Sequence, residues 1–192
     1  MKRMMLIALR MTVLSVLALG IAYPLAVTGV ARLAFPQASE GSLITSRGEP
    51  VGSALIGQRF EADRYFHSRP SAAGSGYDAM ASAASNRAPT SRQLIDDVTD
   101  RVDAIVQSET GVSRGDVPVD LVTASGSGLD PDISPDSAML QVERVARARG
   151  LDADAVSDLV RSHVTERQFG LLGERRVNVL ELNLALDALP SN

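Results

Sequence analysis

The stretch MTVLSVLALGIAYPLAVTGVA, residues 11–31, passes twenty-one positions without a charged side chain. At 1.5 Å of rise per helical residue, that length crosses a hydrocarbon core of about 30 Å. Nine strongly apolar residues, Leu14, Leu17, Leu19, Ile21, Leu25 and four valines, each favour insertion by roughly 0.3–0.6 kcal/mol, about 4 kcal/mol together. Ser15, Gly20, Pro24, Thr28 and Gly29 reduce that sum, but no central Arg or Asp adds its penalty of roughly 3 kcal/mol. The sequence therefore predicts one membrane-spanning helix over residues 11–31.

Lys2, Arg3 and Arg10 precede the span and the first acidic residue is Glu40. Basic flanks stay on the cytoplasmic side. Residues 1–10 are thus expected in the cytoplasm and residues 32–192 in the periplasm, with Arg32 as the single dissenting charge. A cleaved signal peptide also has a basic flank, and Gly20-Ile21-Ala22 and Leu25-Ala26-Val27 supply small residues. Its apolar region is roughly 7–15 residues long, however, shorter than this one. A retained anchor is the reading adopted. Ala18, Ala22 and Ala26 fall four apart on one helical face, which would let a second membrane helix approach closely; alanine is also simply common in such helices.

Beyond the anchor, the length suits one domain with its own core. Aromatic residues make up 4% of the chain and Trp is absent, so Val, Leu, Ile and Ala must fill that core. The chain has no cysteine, which excludes a disulfide framework, a thiolate metal site and a thiol nucleophile. The formal net charge is −4, but Lys2, Arg3, Arg10 and Arg32 all belong to the anchor region. Past Arg32, 15 basic residues face 23 acidic ones, a balance of −8. Such a domain repels nucleic acid and mildly enriches cations around itself.

The outer region reads as α/β or α+β. Leu43 and Ile44, a turn over residues 47–50 and a strand over residues 51–56 suggest a hairpin. Residues 59–88 show no sustained period and read as a long loop held by its own contacts. Thr90 and Gln93 have capping-box spacing ahead of Leu94, Val98, Val102, Ile105 and Val106, which predicts a helix ending at Gly111. Valine-rich residues 117–123 alternate as a strand would. Ser134-Pro135 opens a helix that Gly150 closes; Asp152 caps another through about Val164; Asn178 and Glu181 open a last one.

Candidate chemistry is sparse. Residues 125–131, SGSGLDP, could aim backbone N–H groups at an anion or let two backbones approach closely. A phosphate loop requires a lysine, and the only lysine is Lys2. A nucleophile elbow requires glycine where Ser125 stands, two residues before Ser127, so a hydrolase using Ser127 and His163 is a remote reading. Asp130, Asp132 and Ser134 alternate like calcium ligands but lack the EF-hand glycine and terminal glutamate. His67 and His163 have no metal-ligand spacing. In Tyr65-Phe66-His67-Ser68-Arg69, aromatic and guanidinium groups concentrated in a loop suit a protein interface, and Arg69 could equally serve loop carbonyls.

Several ordered segments resemble one family. They are Leu55-Ile56-Gly57-Gln58, residues 65–71, Ser85-Asn86 with Pro89-Thr90, residues 120–135 and residues 172–183, and together they resemble the C subunit of the bacterial Kdp potassium-transporting ATPase. The resemblance implies an accessory, non-catalytic subunit in the inner membrane. Its implied partners are a channel-like potassium-binding subunit, a P-type ATPase pump subunit and a small single-helix subunit, the complex rather than this chain handling K+. It also implies a catalytic-chaperone alternative in which the glutamine at Gln58 meets ATP, although the orientation read above puts Gln58 across the membrane from cytoplasmic nucleotide. Phe66, His67, Arg69, Asn86 and Asp130, with the three alanines, are the candidate interface residues. Asp132 stands where the family often has histidine, and Ala83-Ala84 where it often has two glycines.

Overall fold

A computed structural model describes residues 1–189, and its contacts divide the chain into two compact units, Met1–Val51 and Gly52–Asn192. The first is dominated by one helix, α1 (Lys2–Ala34), none of whose residues is buried. Apolar side chains face outward all round it, a pattern suited to an apolar medium rather than to a soluble surface. It is longer than the predicted span, because the basic flank continues the same helix.

Within α1, residues Val16–Ala22 take the wider π register, where Tyr23 donates its N–H to the carbonyl of Ala18, five residues back. Pro24 supplies the cause. It has no N–H for the carbonyl four residues earlier, and a local π turn re-pairs the ladder at such a break. After a short turn, α2 (Pro36–Ser39), comes a hairpin of β1 (Leu43–Ser46) and β2 (Glu49–Ser53). Arg47 and Gly48 both have positive φ, the two-residue type I′ turn that matches strand twist. The second strand stops at Ser53, short of the predicted Ile56, because the Ser53 hydroxyl accepts the N–H of Leu55 at 3.1 Å and turns the chain.

The second unit is helical around a very small sheet. Its helices are α3 (Arg92–Ser108), α4 (Pro135–Leu140), α5 (Val142–Arg149), α6 (Ala153–Ser162) and α7 (Val179–Asp187). Strand β5 (Arg176–Asn178) lies between β3 (Asp132–Ile133) and β4 (Val164–Thr165), antiparallel to both, with Val177 opposite Ile133 and Val164. Most caps are those expected. Ser134, Asp152 and Asn178 accept N–H groups of the first turns of their helices. Gly150, at φ 65°, ends α5 in a Schellman turn: the Leu151 N–H reaches the Ala146 carbonyl at 2.9 Å.

Four sequence expectations need correction. The cap of α3 is Ser91, not Thr90, and the helix ends at Ser108, before Gly111. Residues 117–123 form no strand. Pro118 lacks a ladder donor, and Val119–Leu121 instead curl into a 3-10 turn whose Val119 carbonyl takes the Thr123 N–H and hydroxyl. The helix over residues 135–149 breaks at Gln141. The helix begun by Asp152 ends at Ser162, and Val164 passes into β4.

The core comprises Phe66, Ile133, Val142, Val145, Val156, Val160, Val177, Val179, Leu182 and Leu186, with Ala138 and Ala146. Phe66 comes from the long loop, residues 59–88, which is held by contacts of its own, as expected, and also by side chains of later elements. Its fully buried ring alone contributes about 1.5–3 kcal/mol. Asn183 fixes the backbone on both sides of that ring: it accepts the Phe66 N–H at 2.9 Å and donates to the Phe66 carbonyl at 3.0 Å. Replacing it by the similarly sized leucine orphans two buried backbone groups. Asn183→Leu in the full-length chain is therefore expected to lose about 3 kcal/mol in urea unfolding followed by circular dichroism, whereas a change in the exposed Met80 to serine loses none.

Candidate interface site

The long loop is threaded over three buried polar side chains. Gln141 accepts the His67 N–H at 2.7 Å and donates to the His67 and Ser137 carbonyls. Arg144 donates to the carbonyls of Asp63 (2.6 Å) and Tyr65 (3.0 Å), to Gln141 and, at 2.7 Å, to Glu109. Breaking the helix at Gln141 lets these side chains and that of Asn183 face one strip of backbone. Glu109, at the C-terminal end of α3, is 4% exposed, and its second carboxylate oxygen has no protein partner. Burial raises its pKa above the ordinary 4.5 despite Arg144.

Beyond this node the loop delivers Arg69 to Asp130. Their ion pair measures 2.7 Å, while the other Asp130 oxygen accepts the Asp132 N–H at 3.1 Å. The SGSGLDP stretch is thus a structural turn. Gly128, at φ 68°, sits where a Cβ would strike the Ala73 N–H and the Ala83 carbonyl, and Ser71 donates to its carbonyl at 2.6 Å. Asp120 does not alternate along a strand. It takes the Ser134 N–H at 2.7 Å and the Ser134 and Ser137 hydroxyls, tying the start of α4 to the 3-10 turn.

Arg69, Asp120, Asp130, Asp132, Arg175 and Arg176 line a cavity of about 480 Å³. Most of its charges are paired: besides Arg69 with Asp130, Arg176 holds Asp132 at 3.0 Å, while Asp120 is hydrogen-bonded by Ser134 and Ser137. Burial, partly opposed by Arg176, raises the Asp132 pKa. The Arg69 Nε is buried without a partner. Such an arrangement positions side chains and offers no activated nucleophile.

The remaining candidates separate. Phe66 is no surface contact, because the core absorbs its ring completely. His67 is partly buried, with its pKa lowered first by burial and then by Arg144, and its Nε2 lies 3.3 Å from the Ala62 carbonyl. Asn86 is exposed in the left-handed region, at φ 51°. Gln58 is half-buried; its carbonyl accepts the Ser68 hydroxyl, and its side chain lies against Gly52, which has no room for a Cβ. Ala18 and Ala22 fall in the π segment of α1 and Ala26 in the α-helical part. Four residues fall short of a π turn and overshoot an α turn, so the two offsets oppose and return Ala26 to the side of Ala18. Ser127 accepts the Leu129 N–H, and His163 caps α6 beside Ser162 and the Leu159 carbonyl; the two share no contact. No group of three metal-ligating side chains occurs among the described residues.

Sequence reasoning missed Gln141, Arg144 and Asn183. The available signal was position: Asn183 follows Val179 by four residues and precedes Leu186 by three, on the apolar stripe of its helix.

Residues 5–188 match the profile of the family described as KdpC: K+-transporting ATPase, c chain. The chain belongs to this family. It is 60% identical over 183 residues to the potassium-transporting ATPase KdpC subunit of Gemmatimonas aurantiaca, covering 95% of this chain and 91% of that one. It is 53% identical over 178 residues to that of Acidobacterium capsulatum, covering 93% and 94%. For Mycobacterium tuberculosis the figures are 50% over 189 residues, 98% and 100%. A KdpC protein is a component of a potassium-transport complex and not its catalytic subunit.

Two outcomes follow for the buried node and the cavity. With the Glu109 pKa raised, the native chain takes up its proton at a higher pH than the unfolded chain does. This group's contribution to stability is therefore largest below pH 4.5 and is lost as pH rises from 4.5 through the native value. Urea titrations of the full-length chain from about pH 4.5 to about pH 7 should show that slope, and Glu109→Gln should remove it while costing about 3–5 kcal/mol for the unpaired Arg144. At the cavity, a double-mutant cycle of Arg69→Ala and Asp130→Ala should give a coupling of about 1 kcal/mol, in keeping with a partly exposed pair.

Proposed function

We propose that this chain is a membrane-anchored, non-catalytic subunit of an ATP-driven potassium-uptake complex, with residues 1–10 in the cytoplasm and residues 32–192 in the periplasm of a bacterial inner membrane. In this reading the helix packs, through Ala18, Ala22 and Ala26, against helices of a channel-like potassium-binding subunit. The outer domain caps that subunit at the potassium entrance and stabilises its assembly with the pump and single-helix subunits. The observation that carries the reading is the one helix among the described residues, Lys2–Ala34, that is long and apolar enough to cross a membrane, in a member of this family. The basic residues before the span and the −8 balance beyond it support the orientation and the placement near a cation path.

Because the chain lacks cysteine, Ser75→Cys creates a single exposed thiol. A membrane-impermeant maleimide should label it in intact spheroplasts; labelling confined to inverted vesicles would overturn the orientation. Truncation after Ala34 should abolish copurification of the partner subunits or weaken potassium uptake, and an assembled complex of unchanged potassium affinity would count against the capping role.

A further inference from the structure

We propose that the tip of the β4–β5 hairpin is an apolar plug that seats in a pocket on the extramembrane face of another subunit of the same complex. This rests on the reading of the chain as an assembled subunit and names a contact within it. Phe169, Leu171 and Leu172 stand 96%, 78% and 56% exposed on one turn, away from the domain's core. Exposed aliphatic residues scattered singly need no explanation, but three large ones concentrated on a loop apex do.

The tip is built rather than loose. Gln168 and Leu172 exchange two backbone hydrogen bonds of 2.9 Å, and Gly170 donates to the Arg167 carbonyl at 3.0 Å. Phe169 itself is held at φ 56°, a conformation that bulky L-residues avoid. The chain thus accepts local strain at the residue whose ring it displays most completely, and such strain accompanies functional contacts.

Charge selects the occupant. Two ion pairs cross the hairpin beneath the tip, Arg175 with Glu166 at 3.0 Å and Arg167 with Glu174, and Arg176 is engaged by Asp132. Every arginine of the hairpin has a carboxylate partner and the domain is acidic, so the electrostatic attraction that strengthens docking to an anionic leaflet is missing here. A second copy meeting tip to tip would cover only three side chains per chain, far below the roughly 1,200 Å² of a stable dimer. A preformed apolar pocket with a mixed-charge rim fits both the rigid tip and its neutral collar. A small contact suffices there, because the anchor already holds the chain beside its partners at high effective concentration.

The test uses the full-length chain in native membranes, carrying Phe169→Cys or, as an independent second probe, Leu171→Cys. Maleimide labelling should be at least about tenfold slower when the other subunits are coexpressed than when the chain is expressed alone, while Met80→Cys labels quickly in both. Equal rates at positions 169 and 171 in an intact complex would overturn the plug and leave the proposed function standing. Slow labelling without partners would overturn it in favour of lipid or self-association. Failure of the unsubstituted chain to copurify with any subunit would remove the proposed function and the plug together. In support, Phe169→Ser with Leu171→Ser should lower copurification by about tenfold or more without shifting the chain's own thermal midpoint.

Discussion

The packing of the second unit depends on how one irregular strip of backbone, residues 63–67, satisfies its polar groups in a core. A helix or sheet would have paired them internally; a loop cannot. The solution is borrowed from neighbouring helices. Asn183 mimics a strand across Phe66, Gln141 does so across His67, and Arg144 gathers the carbonyls of Asp63 and Tyr65. With those groups paired, Phe66 can enter the core, and the residues that follow are carried to fixed positions, ending with Arg69 on Asp130. Each of these side chains, if removed, leaves a buried donor or acceptor unmatched.

The parts visible in the sequence were those with a local physical cause. The long apolar run, the caps at Ser134, Asp152 and Asn178 and the glycine stop at Gly150 all follow from nearby residues. The sheet was invisible because its strands are two or three residues long, too short to show any alternation. The run around Val119 misled because valine alternation outweighs a single Pro118 in pattern reading, while in the fold no neighbouring strand exists to pair with it. The break at Gln141 arises from contacts 74 residues away, which no window of local sequence contains. Among site residues, the sequence reading singles out Arg69 and Asp130 separately and does not join them, whereas the fold pairs them. Phe66 was misplaced because an aromatic in a polar loop looks exposed until its amide supports are known.

The surface shows the same economy as the interior. Arginines are matched to carboxylates around the cavity and along the β4–β5 hairpin, so the acidic excess of the chain acts at long range rather than through particular contacts. Family membership makes the chain a subunit of a potassium-transport complex.

The pairing of Phe66 with Asn183 spans 117 residues and that of Tyr65 with Asp187 spans 122, so the early loop completes its supports, begun by Gln141 and Arg144, only in the last helix. High contact order of this kind slows folding. It also means that during synthesis the loop cannot complete its hydrogen bonds until nearly the whole polypeptide has emerged. The domain therefore closes late, once its final helix is available.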